Sequence, residues 1–66
     1  MKLKKALHFL CNDKAVRRMT WPEDCYIRYD GDANEFYFSS TEIDMETKFS
    51  FTMSMLHADD WVVVAF

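Results

Sequence analysis

Two short segments of this sequence place charged groups beside a tryptophan, which is an arrangement suited to binding a phosphate-bearing molecule. The first contains Arg17, Arg18 and Trp21, and the second contains Asp60 and Trp61. A guanidinium can hold a phosphate through two parallel hydrogen bonds, and an indole can stack on a flat ring. A carboxylate can accept hydrogen bonds from ribose hydroxyls or from an exocyclic amine. The segments therefore predict a nucleotide-like ligand.

Ordinary structural roles explain the same residues. Trp21 and Trp61 can both be core rings, and Arg17 can pair with Asp59 or Asp60. Arginine–carboxylate pairs at a protein surface are common without any ligand. Residue types alone favour this structural interpretation.

Metal binding is poorly supported by the spacing of the candidate ligands. His8 and Cys11 lie three residues apart on a predicted helix, but no paired-cysteine motif follows, and the distances to Cys25 and His57 match no zinc module. Cys11 continues an apolar stripe and is better explained as a small core residue. We predict neither a metal nor a cofactor.

Catalysis has equally little support in the sequence. A cysteine–histidine pair has no local signature here, and the single glycine of the chain excludes a glycine-rich phosphate loop. His57 with Asp59 or Asp60 is the remaining hypothesis, a minor hydrolase. Consecutive acids before a strand more often accept from backbone amides, so we predict that the protein is not an enzyme.

The charges are unevenly distributed along the chain. Residues 1–28 hold seven of the eight basic residues and three acids, whereas residues 29–66 hold Lys48 and eight acids. The net charge of −3 disfavours nucleic acid or an anionic membrane as a partner. A positive region around Lys14, Arg17, Arg18 and Arg28 can receive a small phosphate-bearing ligand, but charge alone favours a solvated basic face. The candidate ligand-binding residues are Arg17, Arg18, Trp21, Arg28, Asp60 and Trp61.

Apolar periodicity predicts one helix followed by strands. Leu3, Ala6, Leu7, Leu10 and Cys11 form the stripe of an amphipathic helix. Short strands are predicted over residues 16–19, 25–29 and 35–39, and the segment 30–34, which contains the glycine, predicts the hairpin turn between the last two.

Strict alternation over residues 49–55 predicts a half-buried strand, preceded by a turn within 44–47. Residues 56–60 are expected to form one helical turn or a tight loop. Residues 61–66 are apolar on both faces and predict a central strand. The resulting fold class is α+β, with one N-terminal helix packed on a small antiparallel sheet, as a single domain over residues 1–66.

Sixty-six residues make a small core, and eleven aromatic rings exceed what it can enclose. We therefore expect the chain to form a homo-oligomer. The sequence has no signal segment and no apolar run long enough to cross a bilayer. Two cysteines are most simply reduced thiols of a cytoplasmic protein.

Three motifs taken in order resemble a known family. They are a helix carrying Ala6-Leu7 and Leu10, the pattern Lys14-x-Val16-x-Arg18-x-x-Trp21, and the closing Leu56-x-Ala58-Asp59-Asp60-Trp61. This order resembles the second Thoeris anti-defence family of phage and prophage proteins. The motifs frame the whole chain, and their specific residues lie in its first third and last sixth.

The resemblance implies an α+β homo-oligomer, commonly a tetramer, with pockets at subunit interfaces. It implies a sponge that binds a cyclic nucleotide immune signal, chiefly of the cyclic ADP-ribose type, in the bacterial host cell and does not cleave it. Arg18, Trp21, Asp60 and Trp61 are the motif positions carried over to this sequence. The alternative is a small phage adaptor that binds a host protein through exposed aromatic residues.

Overall fold

A computed structural model of the protein describes residues 1–42 and 46–64. Seven elements follow one another in these residues: α1 (Leu3–Leu10), β1 (Ala15–Arg18), β2 (Cys25–Asp30), β3 (Glu35–Ser40), β4 (Glu46–Lys48), α2 (Met53–His57) and β5 (Trp61–Val64).

The five strands form one antiparallel sheet in the order β4-β3-β2-β1-β5. Helix α1 packs against β1 and β5 on one face of this sheet, and the five-residue α2 contacts α1. The predicted α+β class, with an N-terminal helix on a small antiparallel sheet, is confirmed.

The apolar stripe of α1 builds the core that joins helix and sheet. Leu3, Ala6 and Leu10 are buried, and they meet a buried valine, isoleucine and tryptophan from three strands. Burying such side chains stabilises a fold by roughly 1.5–3 kcal/mol each. The prediction that Cys11 belongs to this core is wrong, because the helix ends at Leu10 and the Cys11 side chain is exposed.

The predicted hairpin between β2 and β3 is confirmed, with Asp30 opposite Glu35 at its end. The Asp30 carboxylate accepts hydrogen bonds from the amides of Asp32 at 3.0 Å and Ala33 at 3.3 Å. The left-handed residue of the turn is Asn34, at φ 56°. Asparagine tolerates that conformation because its short polar side chain forms local hydrogen bonds.

The predicted strand over residues 49–55 is wrong. Strand β4 ends at Lys48, and the rings of Phe49 and Phe51, whose centroids are 5.1 Å apart, pack inward from an irregular segment. The Thr52 hydroxyl then accepts from the Met55 amide at 3.3 Å, which caps α2. Two inward rings separated by polar residues reproduce the strand pattern without strand backbone.

The strand predicted over residues 61–66 is found over Trp61–Val64 as β5, but its predicted central position is wrong, because β5 lies at the edge of the described sheet and pairs with β1. On the side of β5 that faces away from β1, Met1 forms two hydrogen bonds with Trp61. The Met1 amine donates to the Trp61 carbonyl at 2.9 Å, and the Trp61 amide donates to the Met1 carbonyl at 3.1 Å. Residues 65 and 66 lie outside the described residues, as do residues 44 and 45 of the turn predicted within 44–47, and residues 46 and 47 of that turn belong to β4.

Candidate functional site

Arg18 and Asp60 stand beside each other where β1 ends and β5 begins. The register that pairs Arg18 with Trp61 brings Asp60 beside Met19, whose amide donates to the Asp60 carbonyl at 3.0 Å. The Arg18 guanidinium donates two hydrogen bonds to the Asp60 carboxylate, from Nε to Oδ1 and from Nη2 to Oδ2 at 3.2 Å. These bonds hold the pKa of Asp60 below its ordinary value.

The two tryptophans pack against one another beneath this ion pair. The Trp61 side chain is fully buried, and its indole N–H donates to the Met55 carbonyl at 3.3 Å. Trp21 is half-buried and meets Trp61 edge-to-face at 5.6 Å, and it meets Phe38 in the same way. The Arg18 guanidinium lies 5.8 Å from the Trp61 ring centroid. Trp61 is therefore a core residue whose ring is not accessible to a ligand in this chain. Trp21 lies at the boundary of the core and is partly exposed.

Arg17 stabilises the loop after β1. Its Nη1 group donates to the carbonyls of Arg18 and Trp21, both at 3.1 Å. The hypothesis that Arg17 pairs with Asp59 or Asp60 is wrong, because Arg18 holds Asp60 and Arg17 bonds to backbone. The structure thus gathers Arg17, Arg18, Trp21, Asp60 and Trp61 at one end of the sheet.

Arg28, the sixth predicted residue, lies apart from these five, on the face of the sheet opposite to α1. Side chains alternate along β2, so Ile27 faces the core and Arg28 faces away from α1. Its Nε donates to Glu46 Oε1 at 2.8 Å, its Nη2 donates to Glu46 Oε2, and its guanidinium lies 5.2 Å from the Tyr37 ring centroid. The ion pair raises the pKa of Arg28 and lowers the pKa of Glu46.

A shallow pocket of about 200 Å³ opens beside Arg28. Lys14 and Arg28 supply its positive charges, Tyr26 supplies a ring, and Asp13 supplies a carboxylate. The complete lining is Asp13, Lys14, Ala15, Tyr26, Arg28 and Tyr29. Two cations and a phenol in one hollow are suited to hold a phosphate with a flat group attached.

Of the predicted positive region of Lys14, Arg17, Arg18 and Arg28, only Lys14 and Arg28 line this pocket, and Asp13 and Tyr26 are not among the residues predicted from the sequence. Tyr26 alternates with Ile27 and so shares the outward face with Arg28, which is a signal readable in β2 alone. Asp13 comes next to them only because β1 pairs antiparallel with β2. That pairing is not visible in local sequence.

Groups for metal or thiol chemistry are sparse in the described ranges. Residues 1–42 and 46–64 contain no set of three or more His, Cys, Asp or Glu side chains placed to hold a metal ion. Burial, Asp24 and Glu42 raise the pKa of the Cys25 thiol, in that order, which disfavours the reactive thiolate. None of the described helices is both long enough and apolar enough to cross a membrane.

Comparisons with models of known protein families, with curated proteins and with solved structures found no match to this chain. The resemblance to the anti-defence family is carried by its motif residues alone. In the structure these residues form the Arg18–Asp60 ion pair and the Trp21–Trp61 contact.

Proposed function

We propose that this protein is a homo-oligomeric sponge that captures a cyclic nucleotide signal of the cyclic ADP-ribose type in the bacterial cytoplasm and keeps it intact. The observation that carries the proposal is the pocket on the outward face of the sheet. Lys14 and Arg28 neutralise phosphate charge there, and Tyr26 and Tyr29 line the same pocket.

Arg28 is oriented before any ligand arrives. Glu46 engages its Nε and Nη2 atoms, and the Tyr37 ring supports the guanidinium plane. The Nη1 group takes no part in these bonds and can donate to a phosphate oxygen. A fixed guanidinium loses less rotational entropy on binding than a mobile one, which favours capture at low ligand concentration.

The motif residues support the same pocket from a distance. The ion pair between Arg18 and Asp60 fixes one end of β1 against β5. The other end of β1 begins at Ala15, which lines the pocket with Lys14. Because β1 is only four residues long, fixing its Arg18 end also restricts where its Ala15 end lies. The motif is therefore suited to position the pocket lining without contacting the ligand.

Self-association is part of the proposal. Helix α1 covers one face of the sheet, and the face with Tyr26, Arg28 and Tyr37 has no helix packed on it among the described elements. A second subunit on this face would deepen a pocket that is shallow in one chain. The protein should then elute as a dimer or a tetramer, not as a 7.9 kDa monomer.

The experiment is capture and release. The purified protein is incubated with cyclic ADP-ribose, desalted and denatured by heat, and the released nucleotide is identified by mass spectrometry. Recovery of intact nucleotide in proportion to protein supports the proposal. Recovery of a cleaved product indicates an enzyme, and an empty extract contradicts nucleotide binding.

A host-protein adaptor is the second candidate. Its predicted contact through exposed aromatic residues is wrong for the described residues, where every Phe, Tyr and Trp side chain is buried or half-buried, and the exposed side of α2 favours this function instead. Met53 and Leu56 lie one helical turn apart with 67% and 47% of their surfaces exposed. Adjacent apolar side chains on a short helix are suited to a groove on another protein. Binding of a host protein that is lost in Leu56→Asp, together with an empty nucleotide extract, would favour this function.

A further inference from the structure

Asp13 occupies an unusual backbone position at the rim of the pocket. It follows α1 by three residues and has φ 62°, in the left-handed region that most L-residues avoid. The turn around it is fixed by backbone bonds to the Phe9 carbonyl, from the Asn12 amide at 3.0 Å and from the Lys14 amide at 3.1 Å. Glycine adopts this conformation most readily, and aspartate is among the few other residues that tolerate it.

The same carboxylate reduces the affinity of the pocket for phosphate. Asp13 lines the hollow together with Lys14 and Arg28, and its negative charge opposes an incoming anion. Asp13 does not serve as an ion-pair partner for Lys14 or Arg28. Within the described ranges the Asp13 carboxylate takes part in no ion pair, and Arg28 is already paired with Glu46.

We propose that Asp13 selects ligands that carry ribose hydroxyls beside their phosphates. This inference rests on the proposed function. Hydroxyl groups donate to the carboxylate while Lys14 and Arg28 hold the phosphate, so a ribose-bearing diphosphate satisfies all three side chains. A bare phosphate satisfies only the cations and meets repulsion from Asp13. Asp13 thus favours one ligand class by attraction and rejects the other by repulsion.

The test uses titration calorimetry on the intact protein with two probes, cyclic ADP-ribose and inorganic pyrophosphate. Asp13→Gly should bind cyclic ADP-ribose about tenfold more weakly, because charged hydrogen bonds to the hydroxyls are lost. The same variant should bind pyrophosphate more tightly, by roughly two- to fivefold, because a repelling charge is gone. Opposite changes for the two probes are the signature of selection.

One control variant separates selection from the change in net charge, and a melting curve separates it from a change in folding. Asp32→Gly makes the same substitution in the exposed β2–β3 turn, outside the pocket, and should leave both affinities unchanged. Asp13→Gly should fold at least as stably as the wild type, since glycine accepts the positive φ, and its melting curve checks this.

The outcomes distinguish this inference from the proposed function. If the wild type binds neither probe, the proposed function fails and the inference fails with it. If the wild type binds cyclic ADP-ribose and Asp13→Gly binds it equally or more tightly, only the selective role of Asp13 is overturned. A parallel loss for both probes would also overturn it, because that result shows a general defect in the pocket.

Discussion

Arg18 and Asp60 are joined by a two-pronged ion pair, although 42 positions separate them in the sequence. Their side chains are 21% and 25% exposed, so the pair is partly shielded from water. It closes the contact between the end of β1 and the start of β5. This position makes the pair a structural element of the sheet as well as a family-like motif.

The ion pair predicts a pH-dependent stability. Arg18 lowers the pKa of folded Asp60, so folding favours the charged carboxylate. The resulting stability is present above the unfolded pKa of about 3.9 and is lost as pH falls through the lower folded pKa. Melting temperatures of the wild type and Asp60→Asn should therefore differ at pH 7 and converge once the pH falls below the folded pKa of Asp60. Asp59→Asn, at the exposed neighbouring carboxylate, is the control and should follow the wild type throughout.

Trp61 should be far more important to stability than Trp21. Trp61→Ala removes a fully buried ring that contacts Trp21 and Phe51, at a cost of about 3–5 kcal/mol. A domain of this size has little more stability than that, so the variant should be largely unfolded in urea titrations and by circular dichroism. Trp21→Ala, at a half-buried ring, should remain folded with a smaller loss. Equal losses for the two variants would contradict the difference in burial.

Thr52→Val tests whether Thr52 caps helix α2 or lies in the strand that the sequence predicts over residues 49–55. As the cap of α2, Thr52 accepts from the Met55 amide, and valine cannot accept. The substitution should cost about 1 kcal/mol, or roughly 4–8 °C in melting temperature. Valine favours strands, so a strand over residues 49–55 would be unchanged or stabilised. Thr20→Val, in the exposed β1–β2 loop, controls for the general effect of the substitution.

Local signals explain which elements the sequence predicts. The stripe from Leu3 to Leu10 and the turn ending at Asn34 are specified by neighbouring residues, and both are found in the structure. The position of β5 depends on its pairing with β1, more than 40 residues away in the chain. Apolar side chains on both faces are typical of central strands. Strand β5 has this composition although it is an edge strand, whose Trp61 carbonyl accepts a hydrogen bond from the Met1 amine.

The same limit applies to the candidate site. Residue types identified the arginines and tryptophans, and alternation in β2 places Tyr26 beside Arg28 on one face. Alternation in β1 places Arg17 and Arg18 on opposite faces, but the sequence could not assign their partners, because these depend on how β1, β5 and the following loop meet. It also could not place Asp13 in a pocket formed across two paired strands.

Arg28→Ala should weaken nucleotide capture while leaving the fold intact. Arg28 and its partner Glu46 are both well exposed, with side-chain exposures of 38% and 43%, so losing their ion pair should change the melting temperature little. The pocket loses one of its two cations, and affinity for cyclic ADP-ribose should fall at least tenfold, or about 1.4 kcal/mol.

Lys5→Ala removes the same charge from an exposed position of α1, outside the pocket lining, and should bind as the wild type does. Calorimetric titrations of the three proteins at two salt concentrations test the charge effect, because the wild-type advantage over Arg28→Ala should shrink as salt rises. Equal affinities for Arg28→Ala and Lys5→Ala would show that capture depends on total charge, or on another surface, and not on the pocket beside Arg28.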